Sequence, residues 1–197
     1  APNTDTVLRA LDCFCTLFGR FSNLGQHCSN LATDAVDLCA SATSQIQPRS
    51  NVLASELVID LALQLSVRAA TCNRSTETIQ EVSDQVKDTI SKLQGMVDPD
   101  SDQSTCEMAM KLLVSASTRL RETAQNACDG AKKCICVAVE LNRATDRLAT
   151  LPFEAEPGSE SRNEPEGGKI DDDAPKSLTN KFRISIKEKF YDFLFKI

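Results

Sequence analysis

Apolar residues recur along most of residues 1–152 with the spacing of an α-helix. In the first third of the chain two rows repeat every seven residues, namely Val7, Phe14, Phe21, Cys28, Ala35 and Ala42 beside Leu17, Leu24, Leu31 and Leu38. Two rows offset by three and four positions meet on one face of a helix. The pattern therefore predicts a long first helix that buries both rows.

Two further segments show the same periodicity. In the second segment an apolar-rich start at residues 52–67 precedes one row of Cys72, Ile79, Val86 and Leu93. The third segment is the most regular, with Cys106, Leu113, Leu120, Ala127, Cys134, Leu141 and Leu148 beside Met110, Ser117, Ala124, Ala131, Ala138 and Thr145. Each segment predicts one more helix.

Helix boundaries follow from local signals. Three prolines separate the segments: Pro48, Pro99 and Pro152. Ser50 or Asn51 suits the N-cap of the second helix, and Ser104 with Glu107 fits a capping box that opens the third. Short connections make consecutive helices antiparallel neighbours. We therefore expect an all-α, elongated up-down-up three-helix bundle, with helices of roughly 40–45 residues that are ~60–68 Å long.

The chain divides into three regions by composition. Residues 1–153 form the predicted bundle. Residues 154–175 carry eight acidic and two basic side chains, with three prolines and three glycines, which predicts an acidic disordered linker. Residues 176–197 carry six basic and two acidic side chains, and they form a basic amphipathic C-terminal segment.

This C-terminal segment predicts a short helix with one apolar face. The face consists of residues spaced by three and four: Phe182, Ile186, Phe190, Phe193 and Ile197. A basic amphipathic helix of this kind docks on its own bundle, on an anionic membrane or in the groove of a protein partner. All three remain open from the sequence.

Cysteine usage predicts the compartment. Nine cysteines in 197 residues indicate a disulfide framework in a secreted protein, or a metal or redox role in a cytosolic one. The opening APNTDT is small and polar, as is typical of a mature secreted chain. Asn73 begins a glycosylation sequon with Arg74 and Ser75. We therefore expect a secreted, disulfide-braced glycoprotein.

The up-down-up topology also predicts which cysteines are neighbours. The turns are expected near residues 49 and 98. The residue numbers of two facing residues then add up to about 98 for the first and second helices, and to about 196 for the second and third. In the parallel first and third helices, residues at the same height differ in number by about 98. Disulfides join Cα atoms no more than ~7 Å apart. The expected pairs are Cys39 with Cys134 or Cys136, Cys28 with Cys72 or Cys128, and, least well matched, Cys13 or Cys15 with Cys106.

Two cysteine pairs have a single intervening residue, Cys13–Cys15 and Cys134–Cys136. The predicted topology puts these pairs at opposite ends of the bundle, and their spacing differs from that of structural zinc sites. Neither a shared zinc site nor a redox motif is favoured. Cys15 and Cys136 are expected to point outward, where a cysteine joins a second chain or stays a thiol.

Chemistry-bearing motifs are otherwise lacking in the sequence. The single histidine, His27, is expected on a helix surface rather than as the partner of Cys28. No phosphate-binding glycine loop or hydrolase motif occurs. We therefore predict no catalytic residue, cofactor or metal, and a protein that is not an enzyme.

The function most consistent with these features is a secreted interaction or structural module that binds a protein partner or itself. The alternative is a carrier of lipid or another apolar ligand, favoured by residues 52–67, or membrane-surface binding through the C-terminal segment. A cytoskeletal-type bundle with reduced thiols is a third, weaker interpretation. The net charge of −6 argues against nucleic-acid binding.

Overall fold

A computed structural model describes residues 1–46 and 51–151, and these ranges contain three α-helices and no strand. The helices are α1 (Thr4–Ser44), α2 (Val52–Met96) and α3 (Gln103–Thr150). The all-α class and the number of helices are thus confirmed. The acidic linker, the C-terminal segment, Pro48 and Pro152 lie outside the described residues.

Each helix begins with a side chain that caps its first backbone N–H groups. The amide of Thr6 donates to Asn3 Oδ1 over 2.9 Å, and the amide of Ala54 donates to Asn51 Oδ1 over 3.2 Å. Asn51 was one of the two predicted caps of α2. The third cap is Asp102, whose Oδ1 accepts from the Thr105 amide over 2.8 Å. The capping box predicted at Ser104 is therefore wrong, because α3 begins at Gln103 and its N-cap lies two residues before Ser104.

The chain divides into two compact units, and each contains a part of all three helices. Unit 1 comprises Ala1–Asp34 and Val67–Cys134, and unit 2 comprises Ala35–Ser66 and Ile135–Ile197. In unit 1 the hydroxyl of Thr76 on α2 donates to the Gly25 carbonyl on α1 over 3.4 Å, and Arg119 on α3 donates to Gln85 on α2. In unit 2 the Cys39 thiol on α1 donates to the Ala62 carbonyl on α2 over 3.2 Å.

Most of the predicted core rows are buried. In α3 the whole row Cys106, Leu113, Leu120, Ala127, Cys134, Leu141 and Leu148 is buried, and so are Cys72, Ile79, Val86 and Leu93 in α2. The companion row of α3 is correct at Ala131, Ala138 and Thr145. Nearer the start of α3, Ala109 and Ala116 are buried instead, while Ser117 is exposed.

The companion row of α1 is partly wrong. Leu17 is 54% exposed and Leu31 is only half-buried. The core of α1 instead continues from Val7 through residues that follow in steps of four and three, among them Leu11, Phe14 and Ala32. The other predicted row of α1, from Val7 to Ala42, is buried throughout, so only the companion row departs from the prediction.

Within the described ranges, no helix has the length and the apolar character that crossing a membrane requires. The two buried polar side chains named in the core are Ser83 and Thr145. Thr145 Oγ1 donates to the Leu141 carbonyl over 2.9 Å within α3, so its hydroxyl is satisfied without a partner helix.

Candidate functional site

Two glycines of unit 1 lie directly against α2. A Cβ atom at Gly25 of α1 would lie 3.3 Å from Ile79 Cγ2 of α2, and one at Gly130 of α3 would lie 3.6 Å from Thr71 Cγ2 of α2. Because both glycines lack a side chain, the backbones come close enough for short side chains on neighbouring helices to meet.

Four cysteines lie together at this level of unit 1, and we refer to them as the thiol cluster: Cys28 on α1, Cys72 on α2, and Cys128 and Cys134 on α3. The sulfur of Cys72 is hydrogen-bonded to the Cys134 thiol. Cys28 lies close enough to Cys72 and Cys128 to interact with both electrostatically. Cys28, Cys72 and Cys134 are each at most 1% exposed, and Cys128 is half-buried.

The pKa values in the cluster differ because the surroundings of the thiols differ. Burial, followed by the charges of Cys72 and Cys128, raises the pKa of Cys28 to about 12. Burial also raises the pKa of Cys128, although Lys132 opposes the effect. The pKa of Cys72 is lowered, because the Cys134 hydrogen bond stabilises the thiolate more than burial penalises it. Cys72 is therefore the member of the cluster that most readily becomes a thiolate.

The sequence anticipated part of this cluster. Cys28 lies beside both cysteines that were considered as its neighbours, Cys72 and Cys128. The contact of Cys134 with Cys72 was missed, because Cys134 was matched with Cys39. The predicted turn positions placed residue 124 opposite Cys72, because the numbers of facing residues were expected to add up to about 196. In the structure Gly130 lies against Thr71, so residues further along α3 face this part of α2.

The other predicted neighbours have different surroundings. The Cys39 thiol donates to the Ala62 carbonyl, and burial raises the pKa of Cys39. Cys106 Sγ lies 3.6 Å from the hydroxyl oxygen of Thr4, close to the start of α1. All nine cysteines lie in the described ranges, and the predicted disulfides are not shown there.

The exposure of the two closely spaced pairs corrects one expectation. Cys134 is buried and Cys136 is exposed, as predicted. In the other pair Cys13 is the exposed member and Cys15 is half-buried, the reverse of the prediction. The reason is that Phe14, between them, is 4% exposed, so the core direction of α1 runs through the phenylalanine and both cysteines flank it.

Across residues 1–46 and 51–151, no group of three or more histidine, cysteine, aspartate or glutamate side chains is arranged to hold a metal ion. His27 is exposed on α1, as expected.

A second feature lies in unit 2, where α2 exposes large apolar side chains. We call the following set the outer apolar face: Val52 (67% exposed), Leu53 (77%), Leu57 (47%), Ile59 (45%) and Leu63 (64%). At ~100° per residue, Val52, Ile59 and Leu63 fall within about 40° of one another around the helix. The core residues Val58 and Leu65, both 0% exposed, point in the nearly opposite direction.

The polar residues beside this face are acidic. Glu56 and Asp60 are both exposed, and both fall within about 80° of the direction of Val52. Gln64 Nε2 donates to Asp60 Oδ2 over 2.8 Å. The face therefore combines apolar contact area with negative charge.

A small depression between α1 and α2 of unit 1 is polar in character. Its volume is ≈ 240 Å³, and its lining includes Ser22, Gln26, Gln80 and Lys87. Ligand pockets usually enclose about 300–1,000 Å³ behind mainly apolar walls. We assign no ligand to this depression.

Of the remaining predicted positions, Asn73 is exposed on α2. The predicted membrane or partner residues Phe182, Ile186, Phe190, Phe193 and Ile197 lie outside the described residues. The outer apolar face could have been recognised from the dense apolar run at residues 52–67, which exceeds the single stripe that a bundle helix buries.

Comparisons of the chain with protein-family models, with curated proteins and with solved structures find no match.

Proposed function

We propose that this chain is a secreted, non-enzymatic helical bundle that acts as an interaction module, and that its binding surface is the outer apolar face of α2. The observation that carries the proposal is the exposure of Val52, Ile59 and Leu63 on one side of α2, opposite its core side. Single exposed apolar residues are ordinary on protein surfaces, but a continuous apolar patch is typical of a binding site.

Covering this face yields a substantial free energy. Burial of one large aliphatic side chain contributes about 1.5–3 kcal/mol, and the face offers five such side chains. An amphipathic helix binds an apolar surface through apolar residues spaced by three and four. Such a helix, lying along α2, would cover the outer apolar face.

The occupant that best fits the face is the basic amphipathic segment at residues 176–197. Its net charge of +4, from six basic and two acidic residues, complements Glu56 and Asp60. The segment follows Thr150, at the end of α3, after 25 residues, and α3 ends in the same unit that carries the face. The segment of the same chain or of a second copy can supply the contact, and the latter makes the module self-associating.

Secretion and disulfide bracing are the other parts of this proposal. Nine cysteines in 197 residues are typical of proteins from oxidising compartments. Four of these cysteines meet in unit 1, and Asn73 with its sequon is exposed on α2. Both features suit a protein that passes through the secretory pathway.

Zero-length cross-linking of the full chain tests the occupant directly. A carbodiimide joins a carboxylate to an amine only when the two are in contact. We expect mass spectrometry to find amide links from Glu56 or Asp60 to lysines of residues 176–197. The mass of the linked species, one chain or two, shows which copy supplies the segment.

Two matched variants control this experiment. Leu63→Glu places a charge in the outer apolar face and should abolish the links. Leu17→Glu changes another exposed leucine, at 54% compared with 64% for Leu63, on α1 of unit 1 and should leave them intact. Tail lysines that link evenly to acidic residues throughout the chain would contradict the proposal. Absence of these links together with tail-dependent binding to anionic vesicles would replace it with membrane-surface binding.

A further inference from the structure

The outer apolar face belongs to the same compact unit as the end of α3. Unit 2 comprises Ala35–Ser66 and Ile135–Ile197, and α3 ends at Thr150. We propose that the C-terminal segment, residues 176–197, covers the face of its own chain and thereby closes the face to other partners. Both the face and its occupant are those of the proposed function, on which this inference rests.

The distance from the end of α3 to the face is short. Both helices bury side chains in unit 2, since Leu65 of α2 and Leu141 of α3 are 0% exposed. Residues 52–66 form a stretch of about 21 Å, at 1.5 Å per residue, and the axes of packed helices are about 8–10 Å apart. Every residue of the face is therefore within roughly 30 Å of the end of α3.

The length of chain between α3 and the segment matches this distance. Residues 151–175 number 25, and most of them belong to the predicted acidic linker. A flexible chain of this length has an average end-to-end distance of roughly 25–30 Å. A linker that matches the span in this way gives an effective concentration on the order of 1 mM. At lower protein concentrations the segment of the same chain therefore outcompetes that of a second copy.

The segment is also long enough to cover the whole face. In the helix that the sequence predicts, Phe182 and Ile197 are 15 residues apart, which is about 22 Å along the axis. Val52 and Leu63 are 11 residues apart on α2, which is about 17 Å. One helix lying along α2 therefore spans the face from end to end.

The charges of the segment agree with this placement. At ~100° per residue, its apolar side covers about 80° of the predicted helix. Glu188 and Asp192 lie about 160° and 120° from the middle of that side. Four basic residues lie within about 100° of the middle and flank it on both sides: Arg183, Lys187, Lys189 and Lys196. The segment thus combines its apolar side with positive charge and carries its acidic residues on the other side.

The face carries the complementary charge near its centre. Glu56 and Asp60 are exposed on α2. Around this helix they fall at about 40° and 80° from Val52, between Leu63 at about 20° and Leu53 at about 100°. Basic residues that flank an apolar side therefore meet these carboxylates when the segment lies on the face.

Coverage by the same chain makes the segment a competitor of any external partner. A helix of another protein reaches the face only in the fraction of molecules whose own segment has left it, and its apparent affinity falls by that fraction. With an effective concentration of about 1 mM and a dissociation constant of about 10–100 µM for the segment, the affinity falls roughly 10- to 100-fold.

Binding of a fluorescently labelled peptide of residues 176–197 to the full chain tests the inference. In the double variant Ile186→Glu/Phe190→Glu, the chain's own segment loses its apolar side and leaves the face open. Fluorescence anisotropy should show that the peptide binds this variant at least roughly tenfold more tightly than the wild-type chain. Glu188→Gln, on the opposite side of the segment, is the matched control and should bind the peptide like the wild-type chain.

Equal dissociation constants for the wild-type chain and the double variant would overturn the inference. Leu63→Glu, added to the double variant, distinguishes that result from a failure of the proposed function. If equal binding is lost on this addition, the face is the binding surface and only its closure by the same chain is refuted. If the peptide does not bind the double variant at all, the proposed function is refuted as well.

Analytical ultracentrifugation of the full chain gives a second readout. We expect the wild-type chain to be a monomer at about 1–100 µM, because these concentrations are well below the effective concentration of its own segment. A dimer in this range that Ile186→Glu/Phe190→Glu dissociates would overturn the inference. The segment would then be supplied by a second copy, and the proposed function would stand.

Discussion

Units 1 and 2 each contain a part of all three helices, yet they differ in which groups they bury and which they expose. Unit 1 keeps Cys28, Cys72 and Cys134 at most 1% exposed in its interior. Unit 2 leaves Leu53 and Leu63 at 77% and 64% exposed on its surface. The proposals above assign the bracing of the helices to the first unit and partner binding to the second.

The difference has a physical origin in residue size. In unit 1, Gly25 and Gly130 lie against Ile79 and Thr71 of α2 with no side chain of their own between, and Cys28, Cys72 and Cys134 are buried. In unit 2, the start of α2 carries apolar side chains around most of its circumference. A helix in a three-helix bundle buries one stripe of about 100° or slightly more, so the remaining apolar residues stay outside.

The largest expected effect concerns unit 1. In the oxidised full chain, Cys72→Ser should lower the free energy of unfolding by about 4 kcal/mol, since a proposed disulfide from Cys72 to another helix closes a loop of roughly 40 residues or more. Cys136→Ser should change it by less than ~0.5 kcal/mol, as is usual for an exposed position. Guanidinium denaturation with and without reductant measures both. An equal loss for Cys72→Ser in reduced and oxidised protein would mean that the sulfur acts through packing alone.

Two leucines of α2 test the division between core and face in unit 2. Leu65 is 0% exposed and Leu63 is 64% exposed, although they are two residues apart. Leu65→Ala should cost about 2–5 kcal/mol of stability through the cavity it leaves, whereas Leu63→Ala should cost less than ~1 kcal/mol. Denaturant titration measures the free energy of unfolding of both variants. Similar losses for the two would contradict the distinction between a core side and an outer side of α2.

Two glycines of α1 test the close packing of unit 1. Gly19 has no atom within 4 Å of a Cβ position, so Gly19→Ala should stabilise the chain by roughly 0.5–1 kcal/mol through helix propensity. At Gly25 the same methyl would lie 3.3 Å from buried Ile79, whose β-branched side chain has little rotameric freedom. Gly25→Ala should therefore destabilise by about 1 kcal/mol. Equal melting-temperature gains for both variants would show that the helices do not approach closely here.

The smallest effect is expected at the cap of α3. The hydroxyl and amide of Thr105 bond to the Asp102 carboxylate and hold its pKa below the ordinary value of 3.8. A lowered folded-state pKa stabilises the protein above the unfolded pKa, and this contribution is lost as pH falls through the folded value. Asp102→Ala should therefore lower the melting temperature by a few degrees at pH 7, and less at pH 3. Asp102→Asn, which keeps a capping oxygen, is the control, and a pH-independent loss in Asp102→Ala would contradict the role of the charge.

Periodicity predicted one buried row correctly in each helix. The rows from Val7 to Ala42 in α1 and from Cys106 to Leu148 in α3 are buried throughout. The prediction failed in the companion row of α1. Its buried residues lie three positions after the first row at Leu24 and Leu38, but four positions after it at Leu11 and Ala32.

The contact between Cys72 and Cys134 could not be found from turn positions alone. In a helix, side chains lean toward the N-terminus, so a spot on the surface is covered by a residue about one position further along the chain. For antiparallel helices these offsets add, and contacting residues lie later in sequence than a count from the turn suggests. Glycine positions such as Gly130, which fix the local approach, acquire this meaning only in three dimensions.

The central claim, a secreted bundle locked by disulfides in unit 1, is tested most directly by counting thiols in the full chain from its natural source. The protein is denatured without reductant and reacted with a thiol-specific reagent. With the four cysteines of the thiol cluster paired, at most five of the nine cysteines should react. A count of nine would contradict the claim, and would instead indicate a bundle that works in a reducing compartment.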